Sequence, residues 1–404
     1  MWFSFDLVFF IYRISTFPEI FIYKLIELLQ KYFKQDTYIL FDCLYDDNAE
    51  CIDTFTLFEY LQKNNIKSYY IVNKNNKAFD KIKKKTHLKN IIVTNSSKNL
   101  PFFINFILLK THTVVSSFGI LNNKFERFIY KNKFINYVFS DHGIFFMKLF
   151  ALSFYSPSQY NYFGVSNDLE TKMVLENSNW TEDKLIKNGL FRYDNLVKRE
   201  DESQKEIFIM LTWRRYLKGC NLVESNYFKC LESLLSNKRL VQYSRENNVK
   251  IKIAFHHELI KRTKVIEDIK FENKNVEIID MVAISEQIKK TNLFITDFSS
   301  IAFDFMYLDI PVIFYRFDID LDENTKDFES ITFAANRDSY LYNCYYDEEN
   351  TVNAIIRYIN NGFVLEEENK EKNKVFYTYL DRNNVCRNFV NIIDNLNKEK
   401  LCNG

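Results

Sequence analysis

Short apolar runs alternate with longer amphipathic segments from about residue 38 onward. Six strand-length runs occupy the first half of the chain: Tyr38–Phe41, Tyr69–Val72, Ile91–Val93, Thr113–Ser116, Tyr137–Phe139 and Tyr162–Val165. Between the first two runs, the segment Ile52–Lys63 places Phe55, Phe58 and Leu61 on one face of a helix. This β-α repetition predicts a parallel sheet covered by helices.

A polar stretch, Lys198–Lys205, interrupts the pattern and predicts a linker. Five further strand-length runs follow it: Ile207–Met210, Lys250–Phe255, Val276–Ile279, Leu293–Ile295 and Val312–Phe314. Helices are predicted over Leu222–Asn247, Ile301–Leu308, Glu349–Asn361 and Val385–Leu396. We therefore predict two α/β domains of similar size, residues 35–197 and 198–404, that face one another across a cleft.

The N-terminal segment, residues 1–34, is rich in Phe, Ile, Leu and Tyr, but Asp6, Arg13, Glu19 and Lys24 interrupt it and Pro18 lies in its middle. No uncharged apolar stretch reaches the roughly 20 residues that a membrane-spanning helix needs. No positive charge precedes the apolar run, which argues against a signal peptide. We predict two short amphipathic helices around Pro18. Their aromatic face either packs on the protein or lies in a membrane interface, and periodicity does not separate the two.

The composition excludes several function classes. The chain has 54 Lys and Arg against 53 Asp and Glu, so no overall basic field favours broad nucleic-acid binding. The 7 glycines form no Gly-x-Gly, which excludes the dinucleotide-binding loop and the Walker A loop. The 7 cysteines form no Cys-x-x-Cys, and His-Glu-x-x-His is absent. We expect reduced cytoplasmic thiols, no protein-built metal site and no required cofactor.

One candidate site follows the fourth strand of the second set. The segment Thr296, Asp297, Phe298, Ser299 and Ser300 leads directly into a predicted helix. In doubly wound sheets, ligands bind beyond the carboxyl ends of the strands. Backbone N–H groups and the dipole at a helix start favour an anion such as phosphate. The alternative is simple N-capping by Ser299 or Asp297.

Two histidines also follow strands. His256 is placed to donate a hydrogen bond to a phosphate oxygen or to stabilise a leaving diphosphate, and His257 is the less favoured neighbour. His142, followed by Gly143, is a candidate general base. Helix capping and an incidental turn histidine are the respective alternatives. Strand alternation predicts that Asp141 points away from His142, so no His–Asp dyad is predicted.

Two arginine-bearing segments complete the set of candidates. Thr212, Arg214 and Arg215 follow the first strand of the second set and suit a phosphate or diphosphate. The alternative is that these arginines pack on the neighbouring tryptophan at the surface. Arg192 and Asp194 lie in a predicted turn before the linker, where an Arg–Asp pair is more often structural than catalytic.

Taken together, these motifs resemble those of the CDP-glycerol glycerophosphotransferase family, whose members build teichoic acids and related polyol-phosphate polymers of bacterial surfaces. The most specific match is residues 291–320, TNLFITDFSSIAFDFMYLDIPVIFYRFDID. Weaker matches are Leu211 to Arg214, Gly189 to Asp194, His142-Gly143 and His256-His257. The chain departs from the family pattern at Leu211, Phe191 and His257, where proline is usual, at Asn292 and Phe298, and at Ile144-Phe145 beside His142.

The resemblance implies a GT-B-like fold of two Rossmann-like domains, with CDP-glycerol or another CDP-polyol bound mainly by the C-terminal one. His142 would act as the general base on the acceptor hydroxyl, and His256 would stabilise the charge growing on CMP. Ser299 and Ser300 would hold phosphate oxygens, and Arg214 would add charge. Whether a Mg²⁺ is held loosely on the diphosphate is a question that the sequence leaves open.

The resemblance also implies an acceptor on a cell-surface polymer or its lipid-linked precursor, and a peripheral location on the cytoplasmic face of the membrane. Two alternatives remain open from the sequence. One is a GT-B glycosyltransferase that uses a nucleotide sugar in capsule or surface polysaccharide synthesis. The other is a non-catalytic, membrane-associated scaffold with the same two-domain fold.

Overall fold

The computed structural model describes residues 19–42, 53–76, 78–85, 88–95, 103–118, 124–147, 157–197, 204–256, 259–260, 269, 271, 273–279, 284–320 and 328–403. His257, most of the predicted linker 198–205 and the helix predicted before Pro18 lie outside these residues. The described chain forms two parallel sheets with helices packed on them, as the apolar pattern predicts.

The first sheet has seven strands in the order β3-β2-β1-β4-β5-β6-β7, and every pairing is parallel. The strands are β1 Thr37–Phe41, β2 Ser68–Asn73, β3 Ile91–Thr94, β4 Thr111–Ser116, β5 Asn136–Phe139, β6 Tyr162–Val165 and β7 Leu185–Lys187. All six predicted runs are strands, and the three-residue edge strand β7 is an addition. The chain order reverses between β1 and β4, which is where ligands bind in such sheets.

The second sheet has six strands in the order β10-β9-β8-β11-β12-β13, again with parallel pairings throughout. The strands are β8 Lys205–Ile209, β9 Val249–Ile253, β10 Val276–Ile278, β11 Leu293–Thr296, β12 Val312–Tyr315 and β13 Cys344–Tyr345. All five predicted runs are confirmed, and the two-residue β13 is an addition. The corresponding reversal falls between β8 and β11, so the loops after these two strands meet.

The helices follow the amphipathic segments. They are α1 Glu19–Gln30, α2 Asp53–Lys63, α3 Phe79–Lys83, α4 Ile104–Leu108, α5 Lys124–Lys131, α6 Asp168–Asn177, α7 Asn226–Ser236, α8 Lys238–Glu246, α9 Ile284–Lys290, α10 Ala302–Tyr307, α11 Phe328–Ala335, α12 Glu348–Asn360, α13 Glu367–Asn373 and α14 Val385–Asn403. The helical segment predicted over Leu222–Asn247 consists of two helices, α7 and α8. Asn237 ends the first helix and caps the second through its side chain, which accepts from the amides of Arg239 and Leu240.

Helix α1 packs on the first sheet's half through one face. Ile22 and Ile26 lie in that half's core, and buried Gln30 donates to the Leu108 carbonyl at 2.8 Å. The opposite face leaves Phe21 and Leu28 half or more exposed. Within the described ranges, no helix combines the length and the apolar character needed to cross a membrane.

Helix α14 returns from the second half of the chain to the first. The Asp194 carboxylate accepts from the amides of Val385 and Cys386 at 2.9 Å each. Further along the helix, Asn397 accepts from Asn136 at 2.7 Å. The C-terminal segment therefore ties the two sheets together, while the boundary at residues 197 and 198 stays a prediction.

Candidate active site

The two sheets present their strand ends to each other at Gly143 and Ser300. A Cβ placed on Gly143 would lie 2.9 Å from Ser300 Oγ and 3.3 Å from Ser300 Cβ. Gly143 belongs to the loop after β5, and Ser300 lies just before α10 in the other half. The glycine thus permits a contact between the histidine-bearing loop and the serine-bearing loop.

The imidazole of His142 lies in a defined setting on the first side of this contact. Its Nδ1 is 3.0 Å from Asp141 Oδ1 and 3.3 Å from the carbonyl oxygen of Ser117. Its ring stacks on Phe118 with centroids 4.4 Å apart, and about a third of the side chain is exposed. Because Nδ1 faces two acceptors, the neutral form of the ring holds its proton on Nδ1 and has its lone pair on Nε2.

The expectation that Asp141 points away from His142 is wrong. Asp141 has a φ of 56°, so the chain enters the left-handed region directly after the strand. Strand alternation stops at that residue. The carboxylate turns back toward both the His142 amide and the imidazole.

Glu170 holds the same loop from within the first half. This carboxylate is buried and accepts from the Phe145 amide at 2.7 Å and from the Ser166 amide at 2.8 Å. Burial raises its pKa to about 8. Glu170 lies in the first turn of α6, where the Asn167 side chain caps the helix, so a rigid element fixes the loop.

Arg192 joins the two halves beside the site. Its Nε and Nη2 donate to the two carboxylate oxygens of Asp304 on α10, at 2.9 and 2.7 Å, and its Nη1 donates to the His142 carbonyl at 3.0 Å. Asp53 accepts from the Arg192 amide at 3.1 Å, and burial raises the pKa of this carboxyl to about 8 although Arg192 opposes the shift. The sequence analysis considers Arg192 and Asp194 as a pair. In the structure they have different partners: Arg192 binds Asp304, and Asp194 binds amides at the start of α14.

On the second side, Thr212, Arg214 and Asp297 form one network. Asp297 Oδ1 accepts from the amide and hydroxyl of Thr212 at 2.8 and 2.9 Å, and Oδ2 accepts from Arg214 at 2.8 Å. Arg214 also binds Asp318 through Nε and Nη2, at 2.7 and 3.0 Å, and its side chain is 3% exposed. The Arg214 guanidinium therefore binds the loop after β8 to the loops after β11 and β12 rather than facing the cleft.

The Ser299–Ser300 turn starts α10 without a side-chain cap. The carbonyls of Ser299 and Ser300 accept from the Ala302 and Phe303 amides at 3.2 Å each. The preceding amides are the ones that a helix start leaves for other acceptors. The Asp297 carboxylate does not cap α10, because it binds Phe298, Thr212 and Arg214 instead.

Arg316 is a buried cation that the sequence does not single out. It follows β12 directly and is fully buried, donating to the Asp297 carbonyl, to Asp338 at 2.6 Å and to Met147 Sδ at 3.5 Å. The Phe298 ring lies 4.1 Å below its guanidinium. An arginine directly after an apolar strand is the one sequence signal that marks it.

His256 and Arg215 lie on the same strand-end edge of the second sheet as Thr296. The β9 and β8 ends stay paired up to Ala254, whose amide donates to Ile209 at 3.1 Å, and Thr296 Oγ1 donates to the Met210 carbonyl at 2.6 Å. His256 is partly buried, and its carbonyl accepts from the amides of residues 259 and 260, which starts a helical turn. Arg215 is exposed. The catalytic role of His256 stays a prediction.

The described part of the chain contains no group of three His, Cys, Asp or Glu side chains placed to hold a metal ion. The expectation that Mg²⁺, if used, arrives on the donor stays a prediction.

Comparison with known proteins identifies the family to which this sequence and architecture are similar. Residues 23–395 match the family described as CDP-Glycerol:Poly(glycerophosphate) glycerophosphotransferase. The chain is 27% identical over 383 residues to the minor teichoic acid biosynthesis protein GgaB of Bacillus subtilis (strain 168); the match covers 86% of this chain and 38% of GgaB. The chain thus spans well under half the length of that curated relative.

Solved structures share the fold. The wall teichoic acid polymerase TagF superposes with a TM-score of 0.59 at 16% identity, covering 94% of each chain, and a TagF variant has been solved with CDPG. The UDP-GlcNAc 2-epimerase of Neisseria meningitidis, bound to UDP-GlcNAc, superposes with a TM-score of 0.54 at 14% identity, covering 88% of this chain and 99% of the epimerase. The predicted GT-B-like fold is confirmed. With the family match extending over nearly the whole sequence, the chain belongs to the CDP-glycerol:poly(glycerophosphate) glycerophosphotransferases, a family of transferase enzymes.

Proposed function

We propose that this chain transfers glycerol phosphate, or a related polyol phosphate, from a CDP-activated donor to a hydroxyl of a cell-surface polymer or its lipid-linked precursor. The acceptor oxygen bonds to the polyol-side phosphorus, the bond from that phosphorus to the bridging oxygen breaks, and CMP leaves. Family membership supports the reaction class. The observation that carries the proposal is the contact between Gly143 and Ser300, because it brings the loop that bears His142 in one half against the residues that lead into α10 in the other.

His142 takes the acceptor's proton in this proposal. Contacts with Asp141 and Ser117 occupy Nδ1, so Nε2 is the basic atom, and Phe118 fixes the ring plane. The exposed third of the side chain leaves room for a hydroxyl to approach. A base positioned in this way contributes about 10²–10⁴-fold to the rate.

The second half supplies charge stabilisation. Amides and hydroxyls at Ser299 and Ser300 bind phosphate oxygens, and His256 stabilises the charge on departing CMP. Phosphoryl transfer depends mainly on positioning and charge stabilisation, so these groups suffice without a covalent intermediate. Asp297 shapes the phosphate-binding loops through its bonds with Thr212 and Phe298. Thr296 does so through its bond to the Met210 carbonyl, and Arg214 holds the loops together.

The test is release of CMP from CDP-glycerol and CDP-ribitol in the presence of an oligomeric or lipid-linked acceptor, with UDP-sugars in parallel. His142→Ala, His256→Ala and Ser299→Ala/Ser300→Ala should each lower kcat, the histidine variants by about 10²–10⁴-fold. Ser233→Ala is the matched control, because Ser233 is on α7 and binds Glu348 at the surface. Turnover of UDP-sugars alone, or wild-type rates in both histidine variants, would contradict the proposal.

We also propose that the exposed face of α1 contacts an anionic membrane surface, where lipid-linked acceptors reside. On α1, Phe21 and Leu28 are 50% and 62% exposed and Lys24 is exposed; just after the helix, Tyr32 is 73% exposed and Lys31 is exposed as well. Apolar side chains flanked by lysines suit a helix lying in the interface.

Sedimentation with phosphatidylglycerol vesicles tests the membrane proposal. Phe21→Ser/Leu28→Ser should lower the bound fraction, whereas Val364→Ser, which removes another apolar side chain of 60% exposure, should not. Equal sedimentation of the two variants would contradict it.

A further inference from the structure

Arg192 makes the contacts that connect the histidine loop to the opposite half of the protein. Its side chain is 10% exposed, and it binds Asp304 through two donors and the His142 carbonyl through a third. Asp304 lies on α10, about one helical turn beyond Ser300. One guanidinium therefore touches the backbone of the proposed base and the helix that follows the proposed phosphate-binding turn.

We infer that Arg192 is a positioning residue: it sets the distance between His142 and the Ser299–Ser300 turn and so aligns the base with the phosphorus under attack. This inference rests on the proposed function. Arg192 itself touches neither substrate nor reacting atoms. It acts through the His142 carbonyl, and a displacement of about 1 Å between reacting groups is enough to cost roughly 10²-fold in rate.

The other anchors of the loop do not perform the same task. Glu170 binds the Phe145 amide, but both residues belong to the first half, so this bond leaves the spacing between the halves unset. Arg316 reaches Met147 across the halves, but only through a thioether sulfur, a weak acceptor. Arg192 joins the halves through charge-assisted bonds of fixed geometry, because its planar fork binds a carboxylate with two parallel donors.

Lysine at position 192 would keep the charge and lose the fork. Arg192→Lys can bind Asp304 or the His142 carbonyl, but not both with the present geometry. Asp304→Asn keeps the volume and removes the charge that orients the guanidinium. Tyr307→Phe is the matched control: it removes the 3.3 Å hydrogen bond from α10 to the Tyr193 carbonyl, which joins the same two elements without contacting His142.

The experiment measures steady-state CMP release, CDP-glycerol affinity by calorimetry, and amide hydrogen exchange of residues 141–147. In Arg192→Lys and Asp304→Asn we expect kcat to fall by about 10–10²-fold, the donor Kd to stay within about 3-fold, and exchange of the 141–147 amides to rise at least about 10-fold. The lysine variant should retain more activity than Arg192→Gln. Tyr307→Phe should resemble wild type in all three measurements.

The two proposals fail in distinguishable ways. Wild-type kcat and exchange in folded Arg192→Lys and Asp304→Asn would overturn the positioning role. A loss of activity that only follows the unfolded fraction, with 141–147 exchange no faster than the rest of the chain, would overturn it as well. If the wild-type protein releases no CMP, the proposed function fails, while the exchange measurement, which needs no substrate, still decides whether Arg192 holds the loop.

Discussion

Gly143→Ala is the sharpest test of the contact on which the site depends. The added methyl would lie 2.9 Å from Ser300 Oγ and 3.3 Å from Ser300 Cβ. Rotation about χ1 moves the oxygen away, but the Cβ is fixed by the backbone. The halves must then separate locally or accept an overpacked contact, and such overpacking costs about 1–3 kcal/mol.

The assay combines urea denaturation with CMP release. Gly143→Ala should lower the free energy of unfolding by about 1–2 kcal/mol and reduce kcat, because the histidine loop moves away from the phosphate turn. Ser300→Gly removes both atoms that the methyl meets. The double variant Gly143→Ala/Ser300→Gly should therefore recover stability, giving a coupling energy of at least about 0.5 kcal/mol in a double-mutant cycle.

Gly189→Ala supplies the control. A Cβ there would lie 2.5 Å from Leu380 Cδ1, so this substitution creates a clash at a different place, against the end of a flexible side chain. Ser300→Gly should not rescue it. Additive effects of Gly143→Ala and Ser300→Gly would show that the two loops do not touch, and the argument for a shared site would fall with that result.

Three further predictions follow from individual side chains. Asp141→Asn tolerates the left-handed turn but loses the carboxylate that orients His142, so kcat should fall roughly 10–10²-fold with little change in melting temperature; an unchanged kcat would count against the tautomer assignment. Burial lowers the pKa of His112 to about 4, while the unfolded chain takes up that proton near 6.5. Stability should therefore fall by about 2 kcal/mol between pH 7 and pH 5, and in His112→Leu this part of the loss should disappear from urea titrations. Arg215→Ala should raise the KM for the CDP donor several-fold, most at low salt, without changing stability; a salt-independent KM would contradict it.

The strands were predictable because both faces of a parallel sheet are covered, which makes each central strand a continuous apolar run. The predicted strands β1, β4 and β5 of the first sheet are buried at every position. The two missed strands, β7 and β13, are three and two residues long and lie at sheet edges. Edge strands of that length contribute too few apolar positions to form a pattern.

The placement of the candidate residues at strand ends was predictable, but the geometry of their contacts was not. Polar residues after β5, β8, β9 and β11 do collect along the two sheet edges. The Asp141 carboxylate was misplaced because its orientation depends on one backbone angle rather than on periodicity. The Arg192–Asp304 pair joins residues 112 positions apart, a separation at which a single sequence carries no pairing signal.

The buried arginines limit which side chains can bind the diphosphate of the proposed donor. Arg192, Arg214 and Arg316 are each buried and paired with a carboxylate. Removing one partner of such a pair leaves an uncompensated charge and costs about 3–5 kcal/mol. These three guanidinium groups therefore serve the fold as partners of buried carboxylates. Arg215, by contrast, is exposed, although it is next in sequence to the buried, ion-paired Arg214. Among the candidate residues that the structure describes, the charge for the proposed donor is then assigned to exposed Arg215, the imidazoles and the backbone dipoles, whose contribution is screened by solvent and not fixed by buried ion pairs.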